Sequence, residues 1–320
     1  MAGPSILIPW PREESAFVKD GDTVAYAVAY VRPETNNVLY ERAILSGLRA
    51  RGTIIYCANI GGIIFERDRI LEGHYPTQFR FARDPRGELG RFPEIAERVQ
   101  DHFHRSLEEM SLLGSFEAVA SLGMSEEDLL ETIVPSSDYL GCWGQSFKRI
   151  GPSIVVNPNL PAIIKRHTQP ANVFAVVARF PDASPACFSD VNRMIFTAIT
   201  ARSETPLLDA EKLDSLDWSE RIRRTFHFSI NHLMTMLDMA DFVYLNSDQR
   251  LDVADTPLGR LLVSEAAVTA EELRSLKGFP LVRRSGSRGP SLLYLPTAAG
   301  GMTPHQVVSM MKAGAQGPDA

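Results

Sequence analysis

The sequence predicts an α+β protein: a tandem duplication of ferredoxin-like modules of order β-α-β-β-α-β, related by pseudo-twofold symmetry, with the second copy reduced. Three observations of self-similarity predict it. A Gly-Pro-Ser strand recurs as GPSILIPW (3–10), GPSIVVNP (151–158) and GPSLLYLP (289–296). Setting Gly3 on Gly151 aligns AYAVAYVRPE (25–34) without a gap on VFAVVARFPD (173–182), both apolar runs closing on proline and a carboxylate. Two further pairs follow in the same order, FHRSL (103–107) with FHFSI (226–230) and SEEDLLETI (125–133) with TAEELRSLK (269–277). The modules are placed at 3–150 and 151–312, with a closing strand at 289–295 and a C-terminal tail.

In the first copy, residues 23–32 read as a strand and 36–50 as a helix with Gly52 at its end. The runs 53–65 and 77–82 read as strands, the second alternating Phe79 and Phe81 with Gln78 and Arg80. A long helix is expected over 93–113, because Ile95, Val99, Phe103, Leu107, Met110 and Leu113 recur at steps of three and four behind Pro93. Residues 116–122 read as the last strand, and Ser125 with Asp128 as a cap opening a short helix. The second copy keeps a first strand, a helix over 190–202, a long helix over 219–239 and a strand at 242–245. Its middle, 203–217, is too polar and short for two strands.

A net charge of −6 gives no surplus of Lys and Arg for neutralising phosphates, so general nucleic-acid binding is not expected and any anion site is local. The longest charge-free apolar run, TIIYCANIGGIIF (53–65), falls short of the roughly 20 residues that span a bilayer, so no membrane association is expected. The amino terminus lacks the pattern of a secretion signal, and Cys57, Cys142 and Cys187 form neither a CxxC half-site nor an even set; a cytoplasmic protein is expected.

The residues that could carry chemistry are scattered. His104 and His227 occupy matching places in the FHxS repeats, each two before a serine, and suit an acid-base or ligand pair as well as a shared docking role. His102 and His104 are two apart, and His227 and His232 five apart, which is wrong for chelation from one helix; no metal is assigned. His232 is expected to be buried and hydrogen-bonded, on one helix face with Phe228, Thr235 and Met239. The stretch 72–87, without a counterpart in the second copy, collects His74, Tyr75, Arg80, Arg83 and Arg86 and reads as a binding loop or a surface hairpin. Arg283, Arg284 and Arg288 lie in a Gly- and Ser-rich basic loop suited to an anion, and Trp143, in GCWG, could stack on a ligand.

Residues 30–75, from YVRPE to EGHY, resemble the opening of nucleoside diphosphate kinases, with Arg32, Pro33 and Glu34 at that family's Lys-Pro-Asp motif. The resemblance implies a ferredoxin-like core and no kinase activity, because no His-Gly-Ser-Asp segment exists. The expected function is binding of a small anionic molecule or a protein partner between two modules. The alternative is an enzyme with its site on the 72–87 insertion and the 283–288 loop, a histidine acting as acid-base. A homo-oligomer formed through exposed sheets is a third expectation. No cofactor is assigned.

Overall fold

Residues 3–11, 24–33, 36, 38–170, 172–200, 226–284, 291–313 and 315–316 are described by a computed structural model of the chain. The elements run β1 (Ser5–Ile8), β2 (Ala25–Val31), α1 (Val38–Arg49), β3 (Thr53–Gly61), α2 (Gly62–Arg67), α3 (Ile70–His74), α4 (Pro76–Arg83), α5 (Pro85–Arg91) and α6 (Pro93–Phe103). Then come β4 (Ser111–Gly114), α7 (Ser115–Ser121), α8 (Glu126–Glu131), β5 (Tyr139–Cys142), β6 (Gln145–Ile150), β7 (Ser153–Val156), α9 (Leu160–Thr168), β8 (Asn172–Phe180) and α10 (Pro185–Thr200). The remainder is β9 (Phe226–Phe228), α11 (His232–Phe242), α12 (Pro257–Glu265), α13 (Ala270–Gly278), β10 (Leu281–Arg284), β11 (Ser291–Tyr294), α14 (Leu295–Ala298) and α15 (Pro304–Lys312). The described residues form a mixed α+β fold without a closed barrel, and no helix among them is long and apolar enough to cross a membrane.

Contacts divide the chain into two units, each assembled from separated stretches: 1–70, 167–275 and 299–315 in the first, and 71–166, 276–298 and 316–320 in the second. The first carries a five-stranded sheet of order β1-β3-β8-β2-β9 in which every neighbouring pair is antiparallel. β2 and β3 therefore run parallel with β8 between them, and β8 and β9 run parallel with β2 between them. Two split β-α-β units, β2-α1-β3 and β8-α10-β9, are thus interlocked in one sheet.

This corrects the expectation of two modules with a sheet each: the aligned strands AYAVAYV and VFAVVARF are central partners, with Ala27 opposite Ala178. Every residue of β2 is buried, as a strand covered on both faces requires. Ala25, Ala27, Ala29 and Val31 face α1 and α10, against Ile44, Leu48, Val191 and Ile195. Those two helices approach closely at Gly47, where a Cβ would lie 2.8 Å from Cγ1 of Ile195. On the opposite face Tyr30 stacks on His227 with centroids 4.7 Å apart and lies 4.8 Å from Phe242 of α11.

The second unit holds a four-stranded sheet of order β4-β7-β6-β5, parallel only between β4 and β7, and an antiparallel β10–β11 pair. Its core joins Ile95, Val99 and Phe103 of α6 to Phe81, Phe147 and Ile154, while Val155 turns to the other side against Ala118 and Leu129. The Ser125–Asp128 capping box is present. Buried Lys148 places Nζ 2.9–3.3 Å from the carbonyl oxygens of Leu129, Leu130 and Thr132, at the C-terminal end of α8, where a cation complements the unpaired carbonyls. Arg149 pairs with Asp138.

Several expected elements differ. The strand at 53–65 stops at Gly61, because the backbone turns beside Gln169: a Cβ on Gly62 would lie 2.0 Å from the Gln169 carbonyl oxygen. Residues 77–82 are helical, started by Pro76; Thr77, Phe79, Phe81 and Ala82 are all buried, so burial on more than one helix face mimics alternation. The helix from Pro93 ends at Phe103, with His104 left-handed at φ 53°. Arg86 then holds the carbonyls of Leu107 and Met110, and the chain enters β4. Where a strand over 116–122 was expected, Ser115–Ser121 is helical too. In the second copy, β9 and α11 stand where one long helix was expected, and Tyr244 forms only an isolated bridge with Arg250.

The FHxS repeats consequently fall on unlike elements, a helix end and a strand. The three GPS strands differ as well: β1 and β11 stand at sheet edges, and β7 is internal to the second unit. The segment 203–217, the start of the 219–239 helix and most of the tail lie outside the described residues.

Candidate small-molecule cavity

The first unit contains a cavity of about 260 Å³, framed by β2, α11, α12 and the start of α15. Val24 and Tyr26 reach it from one side of the strand, as period two dictates. Asn231 caps α11 by accepting from the Met234 amide at 2.9 Å, and the helix presents His232, Thr235, Met236 and Met239, spaced by three, four and seven residues along one face. Thr256 caps α12 through the Gly259 amide at 3.1 Å, with Pro257 at its first position. That helix lines the cavity with Pro257, Leu258, Arg260, Leu261, Ser264 and Glu265.

Most of this wall is apolar, and its polar groups are held in place. Nε2 of buried His232 lies 3.0 Å from the Ala183 carbonyl, which only accepts, so this nitrogen carries the proton. The Thr235 hydroxyl lies 2.9 Å from the Tyr26 carbonyl, tying α11 to β2. Arg260 donates its Nε to the Asp255 carbonyl at 3.1 Å. Glu265 lies 3.6 Å from Nε2 of His305, at the start of α15.

Beside the cavity, on the same unit, α11 and β9 build a buried polar group. Asp238 Oδ2 receives the Ser229 hydroxyl at 2.7 Å and faces His227 Nε2 at 2.8 Å. The Val28 amide donates to Ser229 Oγ at 3.0 Å, and the Ser229 amide to the Val28 carbonyl at 2.9 Å, so the serine extends the β2–β9 ladder. A nucleophilic serine would bond to the histidine; here serine and histidine converge on the carboxylate, and the hydroxyl is fully buried. The group docks α11 onto the sheet.

The residues singled out from the sequence are not gathered at this cavity. His227 lies buried in β9 of the first unit, whereas His104 is exposed at the end of α6 in the second. His74 ends α3 with its ring edge-on to Tyr75 at 4.4 Å. Arg80 pairs with Glu88 at 2.7 Å and covers the Phe279 ring at 4.4 Å. Trp143 occupies a left-handed turn position and donates Nε1 to the Leu292 carbonyl at 2.9 Å. Arg283 and Arg284 belong to β10, opposite Leu292 and Ser291, and Arg288 lies outside the described residues.

Instead of a hairpin, the 72–87 stretch contains α4 and a cap by Asp84 on α5. Burial pushes the Cys142 thiol up to about 12, which suppresses its thiolate. Of the face expected to join Phe228, His232, Thr235 and Met239, the last three line the cavity and Phe228 belongs to β9; Met236 is not singled out by the sequence, and the only signal for Leu258 and Arg260 is the Thr-Pro helix start before them.

No protein-family profile matches the chain, and no curated protein or solved structure matches it significantly.

Proposed function

We propose that the protein binds a small, largely apolar molecule in the cavity between β2, α11 and α12. The observation that carries this reading is the cavity itself: about 260 Å³, apolar over most of its wall, with a few polar groups held by hydrogen bonds to backbone. Ligand sites have this composition. Taking about 30 Å³ for each water displaced, the space suits a ligand of roughly nine non-hydrogen atoms.

In the same proposal, the interlocked β-α-β pair is a single ferredoxin-like domain whose two halves derive from one duplicated unit. The likeness of AYAVAYVRPE to VFAVVARFPD and their central pairing support this. The duplication then lies within one sheet, and the ligand site lies behind that sheet. Three free cysteines suit a reducing, cytoplasmic compartment.

Ligand-observed NMR with a library of small aromatic and aliphatic compounds tests the binding reading. Hits should bind the native chain and be lost in Leu261→Trp, which fills the cavity from a half-buried wall position. Hits that survive this substitution, with the fold intact, would place the ligand elsewhere.

A further inference from the structure

We infer that the ligand is a monocarboxylate with a hydrocarbon body, its carboxylate read by Arg260. The inference rests on the cavity being a ligand site and names the chemistry of its occupant.

Among the described residues, Arg260 is the only Lys or Arg on the cavity wall. Among the described residues, no carboxylate lies within ion-pair distance of its guanidinium. The acidic wall residue, Glu265, faces His305 instead. The 3.1 Å bond from Nε to the Asp255 carbonyl fixes the guanidinium at one edge. Such a fork matches the two oxygens of a carboxylate.

One guanidinium, with Glu265 also on the wall, suits a single negative charge better than a phosphate dianion, which would meet one cation and one repelling carboxylate. Most of the remaining wall is hydrocarbon and thioether, from Val24, Met236, Met239, Leu258 and Leu261, with His232, Thr235 and Ser264 as further polar members. The flexible, polarizable side chains of Met236 and Met239 adapt to an aliphatic chain or a phenyl ring alike. Octanoate, with ten non-hydrogen atoms, is close to the right size for the space.

The test follows the methionine methyl signals of Met236 and Met239 in the full chain labelled at its methionine methyl groups, assigned with Met236→Leu and Met239→Leu. Octanoate and the uncharged 1-octanol are titrated separately. Octanoate should bind at least tenfold more tightly than octanol. Arg260→Met should weaken octanoate at least tenfold and leave octanol unchanged, with Arg260→Lys intermediate. The substitution adds one methyl signal of its own; native positions for the methionines away from the cavity in the unliganded Arg260→Met chain show that its fold is kept.

If both molecules bind with equal affinity, or Arg260→Met leaves octanoate unaffected, while Leu261→Trp abolishes both, the cavity is a ligand site and the carboxylate reading is overturned. If neither moves the methyl signals at millimolar concentration, the cavity reading falls and takes the carboxylate reading with it.

Discussion

Ala27 of β2 lies directly opposite Ala178 of β8 at the centre of the five-stranded sheet, joining stretches far apart in sequence. Both are fully buried in the core that α1 and α10 share with the sheet, and the two helices approach each other closely at Gly47 and Ile195. Ala27→Leu should therefore overpack this layer and destabilise the first unit by about 1–3 kcal/mol. Urea unfolding followed by tyrosine fluorescence checks it; an unchanged midpoint would mean that the helices can separate without cost.

The Ser229–Asp238 contact predicts coupled losses. Ser229→Ala removes both a donor to Asp238 and the acceptor of the Val28 amide, at a cost of about 1–3 kcal/mol for groups left unsatisfied in the interior. Asp238→Ala should cost a similar amount, and the double variant less than the sum. Strict additivity in denaturant melts would show that the two residues act separately.

Acid should weaken the contact between α2 and the segment after α11. Arg67 grips both oxygens of Asp68 at 2.6 and 2.8 Å, and the Tyr244 hydroxyl donates to it at 2.5 Å. The Arg67 side chain, first, and the Tyr244 hydroxyl hold this carboxyl below its ordinary value, opposed by partial burial. A depressed carboxyl stabilises the fold fully above its unfolded value of about 4, and the contribution is lost as pH falls through the folded value. Melting temperatures between pH 6 and pH 3 should fall further for the native chain than for Asp68→Asn. Parallel curves would remove Asp68 from the acid response.

The legible parts of the fold are those where one segment decides its own structure. AYAVAYV could be read as a buried strand because it is apolar at every position, and Ser125 with Asp128 as a cap because the motif is local. Residues 77–82 read as a strand because Phe79 and Phe81 fit period two, whereas Pro76 and burial at Thr77 and Ala82 go with the helix that forms. That β2 and β8 share a sheet is a matter of long-range pairing, which neither periodicity nor propensity encodes. Arg260 escaped notice for the same reason: its cavity exists only where 24–26, 232–239 and 257–265 meet.

The interlocking of β2-α1-β3 with β8-α10-β9 also orders events at the ribosome. When β3 leaves the exit tunnel, the strand that must lie between it and β2 has not been translated, and residues 71–166 come first. At typical elongation of about 5–20 residues per second, the nascent chain waits on the order of ten seconds with both flanks of β8's slot unpaired. Those open edges attract other chains during synthesis, so this protein should depend on holdase chaperones early and lose that dependence once β8 emerges.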